Sequence, residues 1–322
     1  MRKNVNKVTL EGRVYGFGDN NGKNMLEVRT SGPESKVPGT VFIKGVLQVA
    51  IDDAGINVIP VYYTYVTEKT KNGGNNSTFA ALKKILDNGV TWSSHGPDAA
   101  PKVKIDTSIK LNEFYTEENG EEKLVSTKVC EGGFLTFVDH LEPDIEKRNS
   151  FVADMIITRA TRVEADPENH IPEDFVRING AIFDFRNALL PVDFIVRNPN
   201  GMSYFESAGV EDEPLYTKVT GSIFYKNEVE AVTEESAFGG PIVSNRPKRS
   251  KEWLVNSAAK MPYEFGEEGV LTADELKEAM QARNVYLAEM KAKQEEYRAR
   301  AASTTTPIQP PVKKAAAGGF NF

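Results

Sequence analysis

A pair of β-strands joined by a turn, at residues 41–66, constrains the fold more than any other part of the chain. In its first half, apolar residues such as Ile43 and Leu47 alternate with Lys44 and Gln48, which is the period-two pattern of a strand with one buried face. An Asp-Asp-Ala-Gly turn follows, and the second half is rich in β-branched and aromatic residues. The stretch therefore predicts a β-hairpin within a β-sheet domain.

A weaker copy of this hairpin returns at residues 175–196. The matched segments are Ile43-Lys44-Gly45 with Ile178-Asn179-Gly180, Pro60-Val61 with Pro191-Val192, residues 8–15 with 156–163, residues 103–111 with 218–225 around a shared Ser-Ile pair, and residues 131–134 with 238–241. Four segments that recur in one order indicate a tandem duplication of one β-domain. The predicted boundaries are residues 1–140 for the first domain and 150–244 for the second.

The first strand carries a motif that resembles a known family. Residues 6–14, Asn-Lys-Val-Thr-Leu-Glu-Gly-Arg-Val, look like the Asn-x-Val-x-Leu-x-Gly-Arg opening of bacterial and phage single-stranded DNA-binding proteins. The resemblance implies an oligonucleotide-binding (OB) barrel of five strands, with a helix between the third and fourth. A helix predicted at residues 79–87 fits that order, whereas residues 199–213 of the second copy predict no helix. We therefore expect a mainly β protein with two tandem OB-fold-like barrels.

Candidate DNA-binding residues follow from what a single strand requires, which is flat side chains for stacking and cations along the phosphates. In the first barrel the outward-facing candidates are Lys7, Arg13, Tyr15, Phe17, Phe42, Lys44 and Tyr62. In the second barrel they are Arg177, Phe183, Phe185, Lys218, Phe224 and Lys226. The alternative is an ordinary solvated face whose aromatic residues pack on a neighbouring loop.

The chain changes character after the second barrel. Residues 245–270 begin with Asn-Arg-Pro-Lys-Arg-Ser-Lys and are predicted to be a basic linker, and residues 271–302 are predicted to form a helix that starts with a capping box. Residues 303–322 are predicted to be a disordered tail. Its last residues, Phe320 and Phe322, resemble the C-terminal tip with which the family recruits replication and recombination proteins. The family's tip is acidic, whereas Lys313 and Lys314 precede this one.

Composition limits the remaining classes. Hydrophobic residues make up 40% and charged residues 26% of the chain, as in soluble globular proteins, and no apolar run reaches transmembrane length. The lone Cys130 permits no internal disulfide and suits the cytoplasm, which would be the host cytoplasm for a phage protein. A net charge of −7 disfavours nucleic acid without excluding it, since binding depends on a local basic face.

Motifs of catalysis are absent from the sequence. The three histidines are scattered, no cysteine or histidine pair has zinc spacing, and neither a phosphate-binding GxxxxGK[ST] loop nor a GxSxG elbow occurs. We therefore expect no enzymatic activity, no metal and no cofactor.

Two functions remain at this stage. The first is sequence-independent binding of single-stranded DNA in replication, recombination or repair, by a protein that is plausibly phage-encoded. The second is a structural or adaptor role in which the barrels contact other proteins, because OB barrels are reused widely. The sequence leaves homo-oligomer formation open, and it indicates no contact with a membrane.

Overall fold

Eleven strands and four helices make up the computed structural model, which describes residues 4–19, 22–118, 120–166, 171–234, 238, 240, 242–267 and 270–304. The strands are β1 (Asn6–Phe17), β2 (Glu27–Thr30), β3 (Val41–Ala50), β4 (Val58–Thr67), β5 (Lys102–Glu118), β6 (Glu121–Phe137), β7 (Asn149–Val163), β8 (Phe175–Phe183), β9 (Leu189–Val196), β10 (Leu215–Glu234) and β11 (Ile242–Ala258). The helices are α1 (Ser77–Asn88), α2 (Trp92–His95), α3 (Pro199–Ser207) and α4 (Ala273–Thr304).

The first barrel closes through five strands. β1 pairs with both β3 and β5, β3 pairs with β4, and β5 pairs with β6, all antiparallel. A short parallel ladder between β4 and β6 completes the ring. The helix α1 follows β4 and buries Phe79, Leu82 and Ile85 in the core, and β2 extends the sheet along the free edge of β3. This is the strand order of an OB barrel.

The second barrel repeats this order with β7, β8, β9, β10 and β11. β7 pairs with β8 and β10, β8 with β9, and β10 with β11, while a parallel bridge joins β9 to β11. The helix α3 lies between β9 and β10, so the expectation of no helix in residues 199–213 is wrong. Asn198 caps it by accepting hydrogen bonds from the backbone N–H groups of Asn200 and Gly201. The predicted fold class, two OB-like barrels followed by a helix, is confirmed.

The two hairpins occupy the same place in each barrel, but their residue-by-residue alignment from sequence is wrong. A β-bulge follows Val14 in β1 and Ile157 in β7, and the residues opposite them are Val49 and Gly180. Gly180 therefore corresponds to Val49 and not to Gly45.

A glycine is needed where the first two strands of each barrel approach closely. A Cβ atom on Gly12 would collide with the carbonyl oxygen of Ala50, and a Cβ atom on Gly180 would collide with that of Ile156. The first barrel places this glycine on β1 and the second places it on β8. Matching glycine to glycine by sequence therefore misplaces the register.

Two asparagines mark the true start of each repeat. The Asn6 side chain accepts a hydrogen bond from the backbone N–H of Ile109 at 2.9 Å and donates to its carbonyl oxygen at 3.0 Å. Asn149 makes the same two contacts with Ile223. Asn149 therefore corresponds to Asn6, and the expected match of residues 8–15 with 156–163 is wrong.

The side chain of Asn6 replaces a missing stretch of backbone pairing. On one edge of β1 the ladder with β5 ends at the pair Val8 and Thr107, while the other edge pairs with β7, from Asn6 opposite Ala153 to Leu10 opposite Asn149. The backbone groups of β5 at this point are buried and need partners, which the amide group supplies. The β1–β7 ladder joins both barrels into one eleven-stranded sheet, and one core cluster extends through both.

The predicted basic linker is wrong, because β11 occupies its first part. β11 pairs with β10 along its whole length, from Glu234 opposite Ile242 to Val219 opposite Ala258. The second barrel therefore ends at Ala258 and not at residue 244. The predicted match of residues 131–134 with 238–241 also fails, because the former lie inside β6 and the latter fall between β10 and β11.

The helix α4 begins where the capping box predicts. Thr272 Oγ1 accepts a hydrogen bond from the Glu275 N–H at 3.2 Å, and the Glu275 carboxylate accepts one from the Thr272 N–H at 2.9 Å. Further along, Arg283 forms a two-armed ion pair with Glu113 of β5, one arm measuring 2.8 Å. The side chains are only 10% and 2% exposed. This buried pair fixes the helix against the β5–β6 hairpin.

Replacing Asn6 with Ala should lower the free energy of unfolding by about 2–4 kcal/mol, because each buried backbone group left without a partner costs about 1–3 kcal/mol. The variant loses the two contacts with Ile109 and a third with the carbonyl oxygen of Phe183. Asn112→Ala, at an exposed position of β5, is the control and should change the value by less than about 0.5 kcal/mol. Urea unfolding measures both, and equal losses in the two variants would contradict the role of Asn6.

Replacing Glu113 with Gln should release α4 without unfolding the barrels, because it leaves the buried guanidinium of Arg283 without a counter-charge. Hydrogen exchange of the α4 amides should become faster, while the strands keep their protection. Lys293→Gln is the control, since its ion pair with Glu289 is exposed on the same helix. Unchanged exchange in α4 of the Glu113 variant would show that the ion pair does not hold the helix.

Candidate nucleic-acid interface

The predicted binding residues of β1 are largely engaged by neighbouring parts of the chain. Arg13 forms an ion pair with Asp53 at 2.9 Å, and Arg148 forms another with the same carboxylate at 3.0 Å. Hydrogen bonds from Arg148 and Arg13, in that order, hold the pKa of Asp53 below its usual range. Arg13 also lies 5.9 Å from the ring centre of Trp92, and the Tyr15 ring lies 6.1 Å from it. Arg13 and Tyr15 therefore pack on a neighbouring segment, which is the alternative to DNA binding that the sequence left open.

The other two β1 candidates differ from each other. Phe17 is partly buried and packs against the barrel core, so its ring is not a free stacking surface. The side chain of Lys7 is 58% exposed and forms an ion pair with Asp106 at 3.0 Å. Of the four β1 residues, Lys7 is the one that keeps a largely exposed charge.

A β-bulge places an exposed tyrosine beside a half-buried phenylalanine on the neighbouring strands. Ile43 pairs with Val66 and Gly45 pairs with Tyr63, so Lys44 alone faces two residues of β4, one of them Tyr65. The extra residue turns the Tyr65 side chain outward. It is 52% exposed, and its ring lies 4.5 Å from that of Phe42 at an angle of 40°.

Cations flank this first-barrel aromatic pair, which we define as Phe42 and Tyr65. Lys44 is exposed on β3, and Arg29 of β2 lies directly opposite Phe42 in the ladder. The Arg29 guanidinium also bonds to the Glu27 carboxylate. The outer surface of β2, β3 and β4 therefore combines two solvent-accessible rings with two positive side chains.

Tyr62 lies further along β4 and contributes less surface. It is half-buried, and burial followed by the negative charge of Asp19 raises its pKa. In the parallel ladder it pairs with Glu131 of β6. Its hydroxyl therefore stays protonated at neutral pH, beside an acidic residue that would repel a phosphate.

In the second barrel one predicted residue is excluded as a stacking surface. Phe183 is fully buried in a small cluster with Leu189, Tyr216 and Leu271, so its prediction as a DNA-binding residue is wrong. It does face outward from the barrel, but the segment that leads into α4 covers it. The sequence pattern gives the direction of this side chain and not the later segment that packs on it.

Other second-barrel candidates are exposed, in separate places. Phe185, 66% exposed, lies in the turn after β8, with the Lys110 ammonium 5.2 Å and the Arg186 guanidinium 5.0 Å from its ring centre. Arg177 is exposed on β8 and lies over the ring of Phe175 at 5.7 Å. Phe185 therefore combines an accessible ring with two cations.

The candidates on β10 form a third, separate group. Phe224 is half-buried with the Lys226 ammonium 5.8 Å from its ring centre, and Lys218 is half-buried further along the same face of the strand. β10 is the fourth strand of its barrel and pairs with β7 and β11, not with β8. The structure therefore does not bring these residues together with Arg177.

Exposed aromatic residues that sequence reasoning missed lie on β6. Phe134 is 70% exposed and Phe137 is 41% exposed, and the Lys84 ammonium lies 4.9 Å from the ring centre of Phe137. Both follow the Gly-Gly pair of this strand, where the alternation of inward and outward residues is interrupted. A search for exposed aromatic residues after strand glycines could have found them.

The predicted partner-binding residues Phe320 and Phe322 lie outside the described residues. In the part of the chain that the structure does describe, no helix combines the length and the apolar character needed to cross a membrane.

Comparisons with known proteins place the chain in a family. No curated protein sequence matches it. Among solved structures it is similar to the crystal structure of the wild-type single-stranded DNA binding protein from Thermus aquaticus, with 10% identity and a TM-score of 0.38. This similarity covers 83% of this chain and 99% of that one, and at such a TM-score it carries no argument about function. A family model described as YorF matches residues 5–293, which include both barrels and most of α4. The chain therefore belongs to the YorF family.

Proposed function

We propose that this protein binds single-stranded DNA without sequence preference. The observation that carries the proposal is the first-barrel aromatic pair, Phe42 and Tyr65, with Lys44 and Arg29 beside it on one outer surface. Every base has a flat face that can stack on such rings, and the cations can follow the phosphates. The surface lies on the second and third strands of the barrel, where OB folds bind oligonucleotides.

Charge is distributed in a way that supports this proposal. The chain as a whole is acidic, but four glutamates are concentrated at the far end of the β5–β6 hairpin. There Lys291 of α4 pairs with Glu122 at 2.6 Å, and Arg298 lies 3.7 Å from the same carboxylate. Part of the acidic charge is therefore neutralised within the molecule and lies away from the first-barrel aromatic pair.

In this proposal the protein acts on exposed single strands during replication, recombination or repair, in the cytoplasm of the cell or, for a phage protein, of the host. Binding without sequence preference suits these processes, because strands of any sequence are exposed in them. The resemblance of residues 6–14 to bacterial and phage single-stranded DNA-binding proteins supports this role. We also propose that the C-terminal residues Phe320 and Phe322 contact partner proteins of these processes.

A role in protein contacts is the second candidate, and the surface of α4 favours it. Val285, Tyr286 and Tyr297 are 59%, 48% and 75% exposed on this helix. Large apolar side chains on a charged helix are typical of sites that contact other proteins. Binding measurements on the first-barrel aromatic pair distinguish the two candidates, since the second does not require those rings.

Replacing Phe42 and Tyr65 together with Ala should weaken binding to oligo-dT by about 30-fold or more, because each stacked base contributes about 1–3 kcal/mol. Phe114→Ala, which removes another exposed ring from the first barrel, is the control and should leave affinity unchanged. Fluorescence anisotropy of labelled oligo-dT measures both. If the double variant folds normally and binds as well as the parent, the proposed surface is not the binding site.

Replacing Lys44 or Arg29 with Gln should reduce the dependence of oligo-dT affinity on salt. Each phosphate contact to a single strand contributes about 0.7 to the slope of log affinity against log salt concentration. Lys123→Gln is the control, because Lys123 lies on the acidic hairpin and pairs with Glu118 at 3.0 Å. Titrations at several salt concentrations give the slope, and a slope equal to that of the parent in both variants would rule out phosphate contacts at these residues.

A further inference from the structure

A groove between the two barrels has features that the first-barrel surface lacks. Its volume is about 820 Å³, and β6 of the first barrel and the β8–β9 hairpin of the second form its walls. Trp253 of β11 lies at its floor, and Leu276 and Met280 of α4 close one side. The size falls within the range of about 300–1,000 Å³ typical of ligand sites.

Positive charge exceeds negative charge around this groove. The Lys128 ammonium lies 2.6 Å from a carboxylate oxygen of Asp193 and is only 14% exposed. The Lys251 ammonium donates a hydrogen bond to the Lys128 carbonyl oxygen and lies 4.8 Å from the ring centre of Tyr225. Arg177 lies 4.0 Å from Asp193. Two cations therefore pair with one carboxylate, and Lys251 adds a third positive charge beside Lys128, in a chain whose net charge is −7.

The protonation behaviour of the lysines agrees with this imbalance. Burial lowers the pKa of Lys128 despite the nearby Asp193. Burial, together with the charge of Lys128, lowers the pKa of Lys251 to about 8. Bringing an anion into the groove would stabilise the charged form of both side chains.

The shape of the groove indicates an extended ligand. A second cavity of about 630 Å³ adjoins it and shares Thr158 and Asn179 with it. Arg159 and Arg177 line this second cavity. Cations therefore line the adjoining cavity on β7 and β8 as well as the groove, while Ile195 and Pro191 provide apolar surface in the groove.

We propose that this inter-barrel groove is a second segment of the single-stranded DNA path, separate from the first-barrel aromatic pair. Phosphates lie at Lys251 and Arg177, and a base lies on the apolar lining beside Ile195 and Met280. Lys128 holds Asp193, so that this carboxylate is neutralised and does not repel the strand. The inference rests on the proposed function, because it assigns a further part of the same ligand to the groove.

The test compares short and long oligonucleotides, since one OB fold covers about 4–16 nucleotides and both segments together require a longer strand. Lys251→Gln combined with Arg177→Gln should weaken binding of an oligo-dT of about 30 nucleotides at least tenfold and leave that of about 8 nucleotides unchanged. Lys260→Gln, which changes an exposed lysine just after the second barrel and outside the groove, is the control and should bind both as the parent does.

The outcomes separate the groove from the proposed function. The groove proposal is wrong, and the proposed function stands, if the Phe42/Tyr65 variant loses binding while the Lys251/Arg177 variant binds the long oligonucleotide as the parent does. If the parent binds neither oligonucleotide, both proposals fail. A loss limited to the long oligonucleotide supports the groove.

A pH titration of oligonucleotide binding tests the proposed phosphate contact of Lys251 independently. Lys251 faces Lys128 and Cys130 of β6, Asp193 of β9 and Tyr225 of β10. Because its pKa is about 8, its charge is present at pH 7 and is lost as the pH rises toward 9. Affinity of the parent for the long oligonucleotide should fall over this interval, and the Lys251→Gln variant should show no such fall. Identical pH profiles for the two proteins would overturn the assignment of a phosphate to Lys251.

Discussion

The antiparallel ladder between β1 and β7 is the contact on which the rest of the structure depends. Because each first strand also belongs to its own barrel, this ladder makes both barrels parts of one sheet. On the opposite edge of β1, where the ladder with β5 ends, the Asn6 side chain satisfies the backbone groups of Ile109. Asn57 crosses between barrels in a similar way, donating to the Ile223 carbonyl oxygen and accepting from the Tyr225 N–H. The barrels are thus held at a fixed spacing by buried polar contacts that each need a partner.

Topology could be predicted from the sequence, whereas register could not. Alternation of apolar and polar residues identifies strands and their inward faces, and the order of repeated segments gives two related barrels. A slip by an even number of residues leaves this alternation unchanged, so matching Gly45 to Gly180 still places each side chain on the correct face. In β7 the alternation itself is weak, because residues from Ala153 to Ile157 are all buried, with Ile156 in the second cluster that the segment before α4 covers. The start of the repeat at Asn149 is visible only from its contacts with Ile223.

Candidate site residues were predictable where exposure follows from strand alternation alone. Phe42 and Lys44 lie on the outer surface as expected, and Phe185 is exposed beside cations. For the other candidates, contacts with segments distant in sequence determine whether the side chain is exposed. Trp92 contacts Arg13 and Tyr15, and the segment before α4 covers Phe183. Tyr65 was missed because a single residue of β3 faces two of β4, a bulge that no local pattern announces. Side-chain exposure therefore cannot be predicted from local sequence where long-range packing or a bulge determines it.

The two barrels present different chemistry to a ligand. The first offers open rings, whose stacking with bases depends little on salt, and the second offers cations in a groove, whose attraction for phosphate falls as salt rises. Since the β1–β7 ladder and the contacts of Asn57 join both barrels, the two surfaces that we propose for a single strand are already in place before it binds. Such preorganisation removes part of the ordering cost that otherwise lowers affinity. In the proposed binding mode an acidic chain binds a polyanion because the attraction is confined to surfaces whose geometry is set before the ligand arrives.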